Sequence, residues 1–405
     1  MKKKNFLDSF LFNLIDEHLE KISLGILVLL ALVIRFMLMP DTDLSPDYNT
    51  YYLDWVNQYR EYGIITGLGK NIGDYYVPYN IMYAICSLFS CEPYVPITIF
   101  STIAEFVTAF YIVKIIKHLA VNSDNAALAD KRAWFVGVGS LFLPFVVFNG
   151  ALWKQCDAIY VVFMVIALYH MLKENYRLAF VFLAISFSFK LQAIFIVPLF
   201  IVVYMIKKGF SILEFLWVPV MYLVMGLPSV LCRKGLRDTY FAYLSQTNEV
   251  QTEGYGMVSY YPNIYNFGLD DFDELLKTPA IMLVAGLMVI IAVFAYNHRD
   301  YFEKDINLLV IGSFMAWTMC MFLPGMHERY DYVIVLLMTV LSLSVKKELL
   351  PIAIIMNISS LLVYIIVLFG YKGIPITIIS AVELAAYIYM AVHLFGEATT
   401  AKLSK

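Results

Sequence analysis

What confines this chain most is the recurrence of apolar runs long enough to cross, or nearly cross, a bilayer. They lie at about 22–39, 95–117, 133–151, 156–172, 178–190, 192–206, 211–231, 279–296, 306–323, 331–345, 349–370 and 374–396. A hydrocarbon core about 30 Å thick takes roughly 20 apolar residues as a helix, and no water is present there to satisfy exposed peptide groups. The pattern predicts an all-α, polytopic transmembrane helical bundle of about twelve spans, forming one integral membrane domain over residues 1–405. With 61% hydrophobic and only 15% charged residues, the composition excludes a soluble domain. A net charge of −3 gives no basic field for nucleic acid.

The N-terminal stretch MKKKNFLDSFLFNLIDEHLEK is basic and weakly amphipathic. It runs into the first apolar segment with no small-residue cleavage site, so an uncleaved membrane helix is expected. Ile81–Phe89, behind Pro78 and bounded by Cys91-Glu92-Pro93, is too short to span and is read as a helix at the membrane face. With it left out of the count, Lys2, Lys3, Lys4, Lys114, Lys117, Lys131, Arg132, Lys207, Lys208, Lys346, Lys347 and Lys405 share one side. By the positive-inside rule that side is the cytoplasm, which places both termini there in a multi-pass cell-membrane protein.

Every polar cluster with chemical potential then falls on the extracytoplasmic face. The first is the loop Asp41–Tyr79, where Asp41, Asp43, Asp47, Asp54, Glu61 and Asp74 stand among eight tyrosines and Trp55, with only Arg60 and Lys70 as cations. Ordering such a loop costs conformational entropy. Its acids supply bases or ligands and its aromatics supply platforms for sugar rings or lipid head groups. Trp153-Lys154-Gln155-Cys156-Asp157 makes a second outer turn. Trp153 by itself reads as an interface-belt residue, and Lys154 and Asp157, at i,i+3 spacing, can neutralise each other.

Lys190, with Gln192 close by, sits between two apolar runs, where a charge at depth costs roughly 2.5–3.5 kcal/mol unless it snorkels or pairs. It can present a cation to an anionic head group. His327-Glu328-Arg329, after the helix stop Pro324-Gly325, places three ionisable types at a bilayer edge. Arg binds phosphate through a planar fork and His adds a second donor. The long outer loop 232–278 carries Gly254, Gly256 and YYPNIYNFG, with Tyr261 and Asn263 suited to a carbohydrate or lipid head group. The five cysteines are scattered without CxxC or His-rich spacing, so neither a metal cluster nor a disulfide framework is expected. No phosphate-cradling Gly-rich loop appears on the cytoplasmic side, which argues against a soluble nucleotide substrate.

The order of the Ser-Pro-Asp-Tyr loop, GDYYVPYN, LWKQCDAIY, FKLQAIFIVP, YYPNIYNF and MHERY resembles the bacterial mannosyltransferase-related membrane glycosyltransferases. These are akin to the second mannosyltransferase of GPI-anchor synthesis and belong to the C-type (GT-C) superfamily; the resemblance runs from about Asp43 to Tyr332. It implies an outer first loop, 41–94, carrying juxtamembrane helices. It also implies a metal-independent, cofactor-free, inverting transfer from a polyprenyl-phosphate-linked sugar to a hydroxyl of a glycan or glycolipid acceptor.

The resemblance makes Asp47 the base, with Asp43 and Asp74 as alternatives, and brings His327, Glu328 and Arg329 near the donor phosphate. Lys154 stands where the family more often has Gly. The implied chemistry suits the residues: a loop carboxylate takes the proton of the attacking hydroxyl, while Arg329, Lys190 and His327 can meet the negative charge of the leaving polyprenyl phosphate. Trp153, Lys154, Gln155, Asp157, Gln192, Tyr261, Asn263 and Glu328 complete the expected substrate contacts. A lipid-linked sugar transporter and an outer-leaflet polysaccharide polymerase or ligase are the alternatives. The first would want polar residues at mid-membrane, where only Glu105 and Glu383 are deep, and the second a histidine in 232–278, which has none.

Overall fold

A computed structural model describes residues 5–121, 125–244 and 256–403. Lys2, Lys3, Lys4, Gly254 and Lys405 lie outside the described residues. The chain is helical almost throughout, because the apolar runs satisfy their peptide groups internally. In order come α1 (Phe6–Leu38), α2 (Leu53–Tyr62), α3 (Ile64–Leu68), α4 (Val77–Cys86), α5 (Tyr94–Leu119), α6 (Ala126–Gly139), α7 (Pro144–Val147), α8 (Asp157–Leu172) and α9 (Tyr176–Phe189). They are followed by α10 (Val197–Lys207), α11 (Trp217–Leu231), α12 (Leu236–Tyr240), α13 (Asp273–Asn297), α14 (Arg299–Phe302), α15 (Asp305–Phe322), α16 (Tyr332–Ser344), α17 (Leu350–Phe369) and α18 (Ile376–Leu403). Prolines stand at the first positions of α4, α7, α10 and α17, where a missing N–H costs nothing.

Among the described residues seven helices are long and apolar enough to cross a membrane, or eight if the bent pair Ala126–Phe142 and Pro144–Leu152 counts as one span. They mark the chain as a membrane protein. The remaining four apolar runs are helices of 10–17 residues. α15 and α16 form the centre, with every residue of α16 but Leu343 buried, whereas α1 is largely exposed along its length.

The segment after α1 is not an open polar loop. Tyr48, Tyr52, Trp55, Tyr59, Tyr79 and Tyr83 are buried with Ile72 and Met82 in a core cluster of their own. Tyr52, Trp55 and Tyr83 pack against one another, Tyr48 packs on Tyr94 and Tyr79 on Tyr75 and Phe189, so these rings are not platforms open to a ligand. The short helix predicted at Ile81–Phe89 is α4, and most of its residues are buried. The long loop ends earlier than its sequence suggests, because α13 already begins at Asp273. It also holds an unforeseen strand: β1 (Val258–Ser259) pairs in parallel with β2 (Met326–His327), and Tyr260 bridges to His327.

Candidate active site

The site is built on the bend between α6 and α8. After α6 the chain makes a single 3₁₀ turn, Ser140–Phe142, then turns by 53° at Leu143-Pro144. Residues Phe148–Leu152 wind as a π turn, an arrangement frequent at functional sites. Trp153, Lys154, Gln155 and Cys156 then lead into α8 at Asp157. Lys154 reverses the chain with φ +59°, a left-handed conformation that costs an L-residue roughly 1–2 kcal/mol. Its ammonium turns back to the carbonyl oxygens of Asp41 and of Leu152, the latter at 2.8 Å. Burial lowers this amine to about 8. The expected Lys154–Asp157 pairing therefore does not form: Lys154 precedes the helix and points away, tying the first loop to the turn. Trp153 is no belt residue, being 3% exposed and packed edge-on against Tyr364.

Asp157, fully buried, gathers its neighbours. Lys190 Nζ donates to its Oδ1, Asn149 Nδ2 donates to Oδ2 at 2.9 Å, and Arg329 Nε lies 3.4 Å from Oδ2. Lys190, at the end of α9, lies beside the Tyr160 and Tyr330 rings. It is thus the partner of Asp157 and does not line the cavity. Gln192 is half-buried with its side chain against Tyr330.

The His327-Glu328-Arg329 turn is held by β2. Arg329 Nη1 donates to Glu328 Oε1 at 2.7 Å, and its guanidinium lies 5.1 Å from the centre of the Trp153 ring. Burial pushes the Glu328 carboxyl up, but Arg329 and His327 outweigh it and bring it down to about 2. Burial likewise opposes the charge of Arg329, and the carboxylates of Glu328, Asp157 and Asp47 overcome it, holding the guanidinium above its ordinary value.

Asp47 joins this cluster from the first loop. The Gln155 amide donates to Asp47 Oδ2, and Tyr52 OH donates to Gln155 Oε1 at 3.1 Å. Ser45 Oγ donates to the Trp153 carbonyl, and Tyr79 OH donates to the Cys156 carbonyl at 2.6 Å. Asp47, Trp153, His327, Glu328 and Arg329 together line a cavity of about 480 Å³, closed by Tyr260 and by the end of α17 with Tyr371 and Lys372.

Of the residues expected from sequence, five line this cavity, and Gln155, Asp157 and Lys190 stand directly behind it. The others fall elsewhere. Asp43 and Asp74 are exposed and off the cavity. Tyr261 is fully buried in the main core, with its backbone N–H on the Met326 carbonyl. Tyr260 takes the cavity position instead, because its left-handed backbone, φ +67°, turns the pair over. Asn263 is buried and caps the turn Ile264–Asn266 through the Tyr265 N–H. Sequence reasoning missed Asn149, which clamps Asp157, although its place as the fifth residue of the otherwise apolar FVVFNG was a visible signal. Among the described residues no three His, Cys, Asp or Glu side chains are grouped to hold a metal ion. No protein-family model matches the chain, and no curated protein matches it either.

Proposed function

We propose that the protein is a membrane glycosyltransferase of the GT-C type. In this reading it spans the membrane about twelve times with both ends in the cytoplasm. It moves a sugar from a polyprenyl-phosphate donor to a hydroxyl of a glycan or glycolipid on the extracytoplasmic face, with inversion. The observation that carries it is the convergence of one loop carboxylate, Asp47, with the guanidinium of Arg329 and the imidazole of His327 on one cavity. Inverting transfer needs a base beside the incoming hydroxyl and donors beside the leaving phosphate. Gln155 fixes one oxygen of Asp47, which orients the carboxylate as a base must be oriented.

The charges also say how a phosphate would enter. Asp47, Asp157 and Glu328 stand against Lys190 and Arg329. Lys190 is committed to Asp157, so Arg329 is the fork at the cavity, its Nε beside Asp157 at 3.4 Å and its Nη1 on Glu328 at 2.7 Å. A phosphate would compete with Glu328 for the Nη edge of the guanidinium, with His327 as a second donor.

The test is direct. Purified protein is incubated with a panel of polyprenyl-phosphate monosaccharides and, in parallel, with diphosphate-linked glycans, and products are read by mass spectrometry. Transfer from the monophosphate arm is expected. Transfer confined to the diphosphate arm, or none, overturns the reading.

A further inference from the structure

A buried ion pair outside this cavity takes no part in the chemistry above. Arg35, at the end of α1, and Glu105, in the middle of α5, are 2% and 3% exposed. A pair of charges at such depth costs more in lost hydration than an apolar pair would, so it calls for a role. The guanidinium makes three bonds: Nε to Glu105 Oε2 at 2.5 Å, Nη1 to the Ala31 carbonyl at 2.9 Å, and Nη2 to the Leu141 carbonyl at 2.9 Å. Leu141 lies in the 3₁₀ turn just before the 53° bend at Leu143-Pro144, and Arg35 gives its carbonyl a donor where the helical ladder breaks.

Glu105 faces the next part of the same span. A Cβ on Gly150 would lie 2.3 Å from Glu105 Oε1, so only glycine lets the π turn Phe148–Leu152 pass so close. One helical turn away on α5, Ser101 Oγ donates to the Gln155 carbonyl at 3.0 Å, and Gln155 in turn holds Asp47. A continuous set of contacts therefore runs from the buried pair through the bent span to the carboxylate at the cavity.

We infer that Arg35 and Glu105 form a positioning pair, which fixes the bent span so that Gln155 presents Asp47 to the cavity. The inference rests on the reading of Asp47 as the base, and its test is chosen to stand apart from that reading. Three variants are compared with wild type in detergent: Glu105→Gln, Gly150→Ala, and the double change Arg35→Met with Glu105→Leu, which replaces the pair by apolar groups of similar volume. Amide hydrogen exchange is followed in peptides covering 41–52 and 148–157, with 305–322 as internal control. Exchange about tenfold faster in both site peptides and unchanged in the control is expected, the mark of easier local opening.

Where transfer is measured, kcat should fall roughly tenfold with KM unchanged. The loss from Glu105→Gln should not multiply with that from Gln155→Ala, since both act through one set of contacts. A folded variant with wild-type exchange at 41–52, or rate losses that multiply, overturns the inference. Absence of transfer by the wild type would sink the glycosyltransferase reading alone, and the exchange measurement would still decide this one.

Discussion

The first loop and the long loop reach the same cavity but are fastened in different ways. The first loop is fastened by side chains: Ser45, Tyr52, Tyr79 and Asp47 each bond to the Trp153–Cys156 turn. The long loop is fastened chiefly by backbone: β1 pairs with β2, the Tyr261 N–H donates to the Met326 carbonyl at 3.1 Å, and the Gly325 N–H donates to the Met257 carbonyl at 2.9 Å, with the Tyr265 hydroxyl on the Phe322 carbonyl as a side-chain tie. A backbone fastening sets where the His327-Glu328-Arg329 turn sits without reading any particular side chain. A side-chain fastening sets how a functional group is aimed. Under the proposed transfer, this difference gives chemistry to the first loop and placement to the second, and each substitution below is a way to break or sharpen that division.

The largest effect belongs to Asp47→Asn. It keeps shape and can still meet Gln155, but it cannot accept a proton, so turnover should fall on the order of 10²–10⁴-fold while donor binding persists. Asp43→Asn and Asp74→Asn, off the cavity, should keep turnover near wild type. Initial rates for the three proteins decide it: normal rates in the Asp47 variant would remove chemistry from the first loop.

Next comes Arg329→Lys, which should cost about 10²–10³-fold, chiefly in kcat. Lysine keeps the charge beside Glu328 and Asp157 but loses the planar fork that can meet those carboxylates and a phosphate at once. Rates read beside thermal unfolding separate this from a purely structural pair. Normal turnover with a lowered melting temperature would reduce the turn, too, to placement.

These two residues also show what the sequence revealed. Apolar runs report helices, because burial in lipid is written in consecutive residues. Arg329 stood out because three ionisable types together at a bilayer edge are rare, and Asp47 only through the family resemblance, since its loop offers six acids; the structure puts both on one cavity. Backbone pairing is another matter: β1 with β2 uses N–H and C=O groups that every residue has, so nothing in VSYYPN distinguishes Tyr260 from Tyr261. The partnership of Asp157 with Lys190 was equally hidden, since the two are 33 positions apart and only the packing of α8 on α9 joins them. The tyrosines of the first loop misled for a third reason, in that a ring suited to stacking on sugar is equally suited to filling a core.

A smaller effect tests the second half of the comparison. Asn263 holds the long loop by accepting the Tyr265 N–H at 3.1 Å, and Asn266 bonds back to the Tyr261 carbonyl at 2.8 Å. Asn263→Ala should lower stability by about 1 kcal/mol, the usual scale for losing a cap, and leave turnover at its wild-type level. A hundredfold rate loss in a stably folded Asn263→Ala protein would give the long loop a direct contact with substrate, and the division between the loops would fail.

The smallest effect is predicted at Lys154, where the two kinds of fastening meet. Replacing it with glycine removes the left-handed strain, worth roughly 1–2 kcal/mol, and also removes two hydrogen bonds, each worth about 0.5–1.5 kcal/mol. The terms nearly cancel, so Lys154→Gly should change stability by no more than about 1 kcal/mol and leave turnover close to wild type; the glycine that the resembling family more often has at this place is one the backbone would accept. The pH dependence carries the sharper signal. Burial lowers the Lys154 amine to about 8 from its ordinary value of 10.5, so between these values the unfolded chain binds a proton that the folded protein has given up. Stability must then rise with pH across that window, being fullest above the unfolded value and falling as pH drops toward 8. In Lys154→Gly this rise should disappear. Unfolding midpoints of the two proteins between pH 7.5 and 10.5 measure it. Parallel curves would show that the amine keeps its water, and that the link from Lys154 to the Asp41 carbonyl does not hold the first loop in place.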